Sequence, residues 1–264
     1  MSGAVTGGAV PVLAAGRLSV GYGRKAVVEG IELELGRGAT LALVGANGSG
    51  KSTLLKTMAG LLPALAGSMK VFGGRPGRNP SRVAYLGQFH SNQLMLPLRA
   101  LDVVRMARYP TLGLMRRATA EDERMVREAM ERMGIGGLAR EPLSGLSGGQ
   151  RQRVHIAQAL ARGAELLLLD EPEANLDAES KETLLSAVRA AVQAGGTVVI
   201  ATHDIKEASR CDQAMLLAQR VVAYGPGCSV LTPDTLLSTF GVTARMEEGR
   251  VVVVEREHRH ECGE

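Results

Sequence analysis

Eight residues constrain this chain more than any others: Gly45-Ala46-Asn47-Gly48-Ser49-Gly50-Lys51-Ser52. They follow the almost wholly apolar run Thr40-Leu41-Ala42-Leu43-Val44 and lead into a stretch with Leu54, Leu55 and Met58 at helical spacing. The octet fits G-x-x-x-x-G-K-[ST] in the strand-to-helix setting that pattern needs. Residues 166–169 and 197–201 are apolar runs of the same kind, each closed by a polar turn. Such runs suit parallel strands buried on both faces. Ligands of such sheets gather at the carboxyl ends of the strands. The expected fold is therefore α/β.

The loop's chemistry follows from its residue types. Glycines let successive backbone N–H groups curl around a phosphate, and a helix N-terminus adds about half a positive charge. Lys51 can reach β- and γ-phosphates, the Ser52 hydroxyl can ligate Mg²⁺, and Thr53 can add a phosphate hydrogen bond. The bland alternative is an ordinary glycine-rich turn. Four leucines then run into Asp170 and Glu171. Asp170 is expected beside the loop, holding Mg²⁺ through water. Glu171, pointing the other way in a pleated strand, is expected to orient and deprotonate a water molecule. Strand-end acids also cap helices, which is the competing reading.

Composition narrows the class. The 264 residues carry a net charge of +4 and are 45 % hydrophobic. This excludes a disordered chain. The 33 glycines show no three-residue period, which excludes collagen. No run of about 18 uncharged apolar residues is present, so no membrane-spanning helix is expected. The mild basicity is no nucleic-acid signature on its own, and no nucleic-acid partner is expected. Three cysteines, Cys211, Cys228 and Cys262, suit a reducing compartment better than a disulfide framework. Residues 1–16 carry no charge and lack the basic start of a secretory signal, so they are expected to form a flexible tail. Polar–apolar alternation over residues 17–44 indicates antiparallel strands, and Met125, Val126, Ala129, Met130 and Met133 mark a helix that stops near Gly134.

Leu146-Ser147-Gly148-Gly149-Gln150 adds a second anion-binding element. Ser147 can cap a helix starting at Gly148, and Gln150 stands at capping-box spacing. Two phosphate-binding ends in one chain suggest two subunits sharing each nucleotide.

At these residues the chain resembles the ATP-binding subunits of ABC transporters, over about residues 15–240. The resemblance implies a P-loop NTPase fold with an antiparallel β subdomain and a helical subdomain at about residues 89–160. It sets the ATPase domain at residues 17–245 and leaves 246–264 as a C-terminal strand and charged tail. It also implies ATP and Mg²⁺, bound by a head-to-tail dimer in which Ser147, Gly148, Gly149, Gln150 and Asp177 contact the nucleotide held by the partner. Tyr22 matches the adenine-stacking aromatic, against a plain turn tyrosine. Gln88 matches the Q-loop, touching Mg²⁺ or the attacking water. Asn175-Leu176-Asp177 matches the D-loop, although Ala174-Asn175 replaces the usual small pair. Asp177 can alternatively just cap the following helix. His203 matches the switch histidine, with a helix start beside Asp204 and Glu207 as the competing reading. Thus Lys51, Gln88, Glu171 and His203 are the expected catalytic set, and Ser52, Gln88 and Asp170 the expected Mg²⁺ set. His90 and His155 lack such support and are read as satisfied or solvent-facing.

Transport itself would fall to polytopic permease subunits at the cytoplasmic face of the membrane, with an extracytoplasmic substrate-binding protein acting indirectly. The stretches 102–117 and 220–233 resemble the zinc and manganese importer branch, followed by siderophore or haem importers. A soluble ATPase of iron–sulphur cluster assembly is the outside alternative. The repair-type relatives are disfavoured by the lack of heptads, the translation type by the single ATPase half, and a non-hydrolysing module by the presence of Glu171 and His203. His258, His260, Glu261 and Cys262 offer metal-ligand chemistry, but a charged, solvated tail is the preferred reading.

Overall fold

The computed structural model describes residues 10–88, 98–109, 118–174, 176–240, 243–247 and 250–254. The period-two alternation of the leading segment becomes β1 (Leu13–Tyr22) and β2 (Lys25–Leu35), paired antiparallel from Leu13↔Leu35 to Tyr22↔Lys25. β4 (Ala66–Val71) joins β1 on its other edge, giving a three-stranded sheet in the order β2-β1-β4. The chain is already paired at Leu13, within the segment expected as a tail. Val12, Leu13 and Ala15 are buried apolar side chains, and that burial extends the strand backwards.

The apolar runs form the second sheet. Its strands are β3 (Thr40–Val44), β5 (Val83–Leu86), β6 (Leu166–Asp170), β7 (Thr197–Thr202), β8 (Gln213–Leu217) and β9 (Val221–Pro226), in the order β5-β6-β7-β3-β8-β9. All neighbours are parallel except β9, which runs antiparallel on the edge. Successive side chains of a strand face opposite ways, and here each face finds its own core. Leu41, Leu43, Leu166, Leu168, Val199 and Met215 pack with the three-stranded sheet and with Leu54, Leu55 and Met58 of α1 (Lys51–Met58). Ala42, Val44, Leu167, Leu169, Val198 and Ile200 pack on the opposite side. That second core takes in α2 (Ala100–Arg105), α3 (Ala120–Arg132), α4 (Gly148–Ala161) and α5 (Ala178–Gln193).

The helical region expected at about 89–160 contains α2, α3 and α4, with residues 89–97 and 110–117 outside the described part. α3 begins with a full capping box between Thr119 and Asp122. Arg108 ties its start to α4, donating to Asp122 Oδ1 (2.8 Å) and to the carbonyls of Ala161 and Arg162. Beyond the sheet, β10 (Thr243–Glu247) and β11 (Arg250–Val254) pair antiparallel as a hairpin. The expected boundary at 245/246 therefore falls inside β10, and the C-terminal segment supplies two strands rather than one. Four consecutive valines, Val251 to Val254, favour the second. No helix among the described residues is long and apolar enough to cross a membrane. His90 and the cluster His258, His260, Glu261 and Cys262 lie outside the described residues.

Candidate active site

The site lies where the parallel strands end. Val44 pairs with Thr202 and Asp170 with Ala201, so β3, β6 and β7 deliver the glycine loop, the acids and His203 to one edge of the sheet. Two positions of the loop are closed to larger residues. A Cβ on Gly45 would meet the Leu217 carbonyl at 2.2 Å, and one on Gly50, with φ +109°, would meet Val28 Cγ2 at 2.3 Å. The loop thus needs glycine for close packing and for a left-handed turn into α1.

Lys51 is buried at the first position of α1. Its Nζ donates to the carbonyls of Gly45 (2.7 Å) and Ala46 (3.1 Å) and stands 3.3 Å from Glu171 Oε1. Ser52 Oγ donates to Asp170 Oδ1 at 2.9 Å, and the Tyr85 hydroxyl donates to Asp170 Oδ2 at 3.3 Å. Burial raises the Asp170 carboxyl above its ordinary value, against the hydrogen bonds from Ser52 and Tyr85 and the charge of Lys51. Burial, with Asp170 nearby, also raises the Tyr85 phenol.

Glu171 differs from the expected pleat. β6 ends at Asp170, and Glu171 has φ +48°, a left-handed conformation rare for a residue with a Cβ. Such a conformation costs about 1–3 kcal/mol and marks functional turns. Its N–H still donates to the Ala201 carbonyl, so a turn, not strand alternation, aims the carboxylate at Lys51.

A cavity of about 620 Å³ opens over these groups. Its lining brings together Tyr22, Asn47, Gly48, Ser49, Gly50, Lys51, Ser52, Thr53, Gln88 and Glu171 from the expected set. Tyr22 is 50 % exposed, leaving its ring free for stacking. Gly45 and Ala46 contribute through the carbonyls that hold Lys51. Ser147, Gly148, Gly149, Gln150, Asp177 and His203 do not line the cavity. Ser147 instead caps α4 as expected, accepting from Gln150 N–H (3.2 Å) while Gln150 Oε1 accepts from Ser147 N–H (2.9 Å). Ser147 and Gly148 are exposed, and no atom lies within 4 Å of a Cβ built on Gly148. Asp177 caps α5, accepting from Ser180 N–H at 2.8 Å, and that hydrogen bonding holds its carboxyl low. Asn175 lies outside the described residues. His203 is exposed one residue past β7, and Asp204 caps the short α6 (Ile205–Ala208). The Glu207 side chain does not return to Asp204 N–H, which is donated to Thr202 Oγ1 instead, so this cap is not a box. His155 is half-buried beside Gln158, and burial lowers its imidazole.

Sequence reasoning missed Gln152. It lines the cavity, and its Nε2 donates to the Pro172 carbonyl at 2.9 Å, tying α4 to the acidic turn. Its signal was helical spacing: it stands one turn after Gly148, on the same face.

Residues 28–174 match the ABC transporter family. The chain belongs to the ABC transporter family. Its domain is the ATP-binding, ATP-hydrolysing domain of that family. It is 35 % identical to the manganese transport system ATP-binding protein MntB of Bacillus subtilis, over 85 % of this chain and 90 % of the relative. It is 42 % identical to the hemin import ATP-binding protein HmuV of Streptomyces coelicolor, over 86 % of this chain and 82 % of the relative. Among solved structures, a metal-chelate type ABC transporter in an inward-facing conformation superposes with a TM-score of 0.79. There the identity is 26 %, with 94 % of this chain and 99 % of that chain covered. These relatives serve transport systems, which implies membrane permease partners for an ABC chain of this kind.

Proposed function

We propose that this chain is the energy-coupling ATPase of an importer of metal ions, zinc or manganese. It works as a head-to-tail homodimer on polytopic permease subunits at the cytoplasmic face of the membrane, with a substrate-binding protein acting indirectly from the other side. The observation that carries the ATPase part is the placement of Lys51 between the loop carbonyls and Glu171, beside the Ser52–Asp170 pair.

The Ser52–Asp170 pair suits a hard cation. A hydroxyl and a carboxylate oxygen 2.9 Å apart are two oxygen donors at the spacing of adjacent ligands. An octahedral Mg²⁺ at about 2.1 Å from each ligand sets neighbouring oxygens about 3 Å apart. Ser52, Asp170 and Gln88 would hold the ion, which when bound neutralises charge on the terminal phosphates. The remaining steps belong to the chain. Loop N–H groups from Asn47 to Thr53 cradle the phosphates, and the adenine stacks on Tyr22. Lys51 exchanges its carbonyl partners for phosphate oxygens, so its charge is stabilised before and after binding. Glu171 accepts a proton from water aimed at the γ-phosphoryl group, and His203 contacts that group from the end of β7. The Ser147–Gly149 end of the partner, exposed at Ser147 and Gly148, closes the far side, where its N–H groups stabilise negative charge.

The metal assignment rests on the manganese relative and on the stretches 102–117 and 220–233. The hemin relative, at higher identity, favours a second reading, import of haem or an iron chelate. The two separate in proteoliposomes holding this chain with its permease. A manganese- or zinc-loaded binding protein is expected to stimulate ATP hydrolysis. Stimulation by haem-loaded protein alone would move the assignment to the second reading.

A further inference from the structure

A second acidic group lies outside the machinery described above. Glu173 sits in the turn after β6, Asp204 at the cap of α6 and Glu207 within α6. One carboxylate oxygen of each lies within 4.8 Å of the other two. Glu173 is 3 % exposed and Glu207 9 %. Thr202 Oγ1 donates to Glu173 Oε1 and accepts from Asp204 N–H at 2.9 Å. Asp204 Oδ1 accepts from the N–H groups of Lys206 (2.8 Å) and Glu207 (3.3 Å). Glu173 Oε2 and Glu207 Oε2 remain, both buried and reached by no N–H or hydroxyl donor among the described residues.

Two neighbouring buried carboxylate oxygens with no donor are costly unless a positive charge joins them. Lys181 on α5 acts on Glu207 through space but closes no ion pair with it among the described residues. On the α6 side, Cys211 Sγ donates to the Glu207 backbone carbonyl at 3.7 Å and leaves its carboxylate alone. Burial, then a hydrogen bond with the Glu173 carboxylate and its charge, push the Glu207 carboxyl up to about 8. A proton held between Glu207 and Glu173 relieves part of that cost, and a cation in its place would answer both acids at once.

We propose that Glu173, Asp204 and Glu207 form a site for a hard divalent cation, separate from the Ser52–Asp170 pair, that ties the turn ahead of Leu176–Asp177 to the segment bearing His203. The donor set is three carboxylates with no imidazole or thiolate, which suits Mn²⁺, Mg²⁺ or Ca²⁺ over softer ions. Carboxylate oxygens bind such ions at about 2.0–2.6 Å, so two ligands of one ion stand at most about 5 Å apart. The observed spread fits within that limit. Occupancy would fix the turn after β6 to the start of α6, and in the head-to-tail dimer proposed above, on which this consequence rests, it would bias dimer closure.

Mn²⁺ titrated into the full, nucleotide-free chain and followed by the electron spin resonance of the free ion tests this. Asp170→Asn removes the one charged group of the Ser52, Asp170 and Gln88 set and is expected to leave one Mn²⁺ site intact. Glu173→Gln and Glu207→Gln are each expected to weaken that site by about tenfold or more. Glu207→Gln mimics the protonated acid, so it keeps the fold if Glu173→Gln does not. Binding unchanged in both glutamine variants would overturn the proposal. So would absence of Mn²⁺ binding in the unaltered chain and in Asp170→Asn, which would mean that the acids share only a proton.

Discussion

At Lys51 one buried ammonium answers three oxygens, two from the loop's carbonyls and one from Glu171. A buried lysine in such a cage is pre-positioned for phosphate. Lys51→Ala is expected to weaken ATP binding by about tenfold or more, the scale of a charge-assisted hydrogen bond. Equilibrium titration with a fluorescent ATP analogue measures it, and unchanged affinity would count against the loop's role. Gly50→Ala puts a Cβ into Val28 at a φ of +109°, so it is expected to disorder the start of α1 and lower nucleotide affinity. A crystal structure of that variant with an unmoved loop would contradict this. The loop was legible residue by residue because phosphate binding leaves few choices of residue type. The aim of Glu171 was not: it depends on a left-handed φ at a residue with a Cβ, which no spacing rule announces. Glu173 was equally silent, since its partners Thr202 and Glu207 come from sequence about 30 residues away.

Among the elements, the strands were legible where burial on both faces leaves only apolar residues, as in β3, β6 and β7. The start of β1 was harder, because Val12 to Gly16 carry no alternation of polarity and are recruited by pairing with β2 and β4. α3 shows how a cap stabilises an element. Hydrogen bonds from the Thr119 hydroxyl and N–H, then from Arg108, pull the Asp122 carboxyl down to about 2 from an ordinary value of 3.8. A carboxyl lowered in the folded state contributes stability above its unfolded value and loses it as pH falls through the folded one. The Asp122 contribution is therefore full above about 4 and fades towards pH 2. Asp122→Asn is expected to lower the melting temperature by a few degrees at pH 7 and to narrow that gap as the pH falls towards 2. Calorimetry across this range checks it, and a gap that stays constant with pH would contradict it.

In the whole molecule, the cavity collects the loop, Gln88 and Glu171 but not Ser147, Gly148 or His203. Ser147 and Gly148, two of the expected phosphate contacts, thus lie on an exposed, already capped helix end. The family resemblance explains this arrangement by a second subunit, whereas the sequence of one chain carries no record of which surfaces meet. The proposed mechanism turns on Glu171 activating the water that attacks a nucleotide shared by two copies. It is tested most directly by Glu171→Gln, with ATP turnover and molar mass measured together in ATP and Mg²⁺. ATP binding is expected to persist, turnover to fall by about a hundredfold or more, and a stable dimer to accumulate. Near-normal turnover, or a variant that stays monomeric with ATP bound, would contradict it.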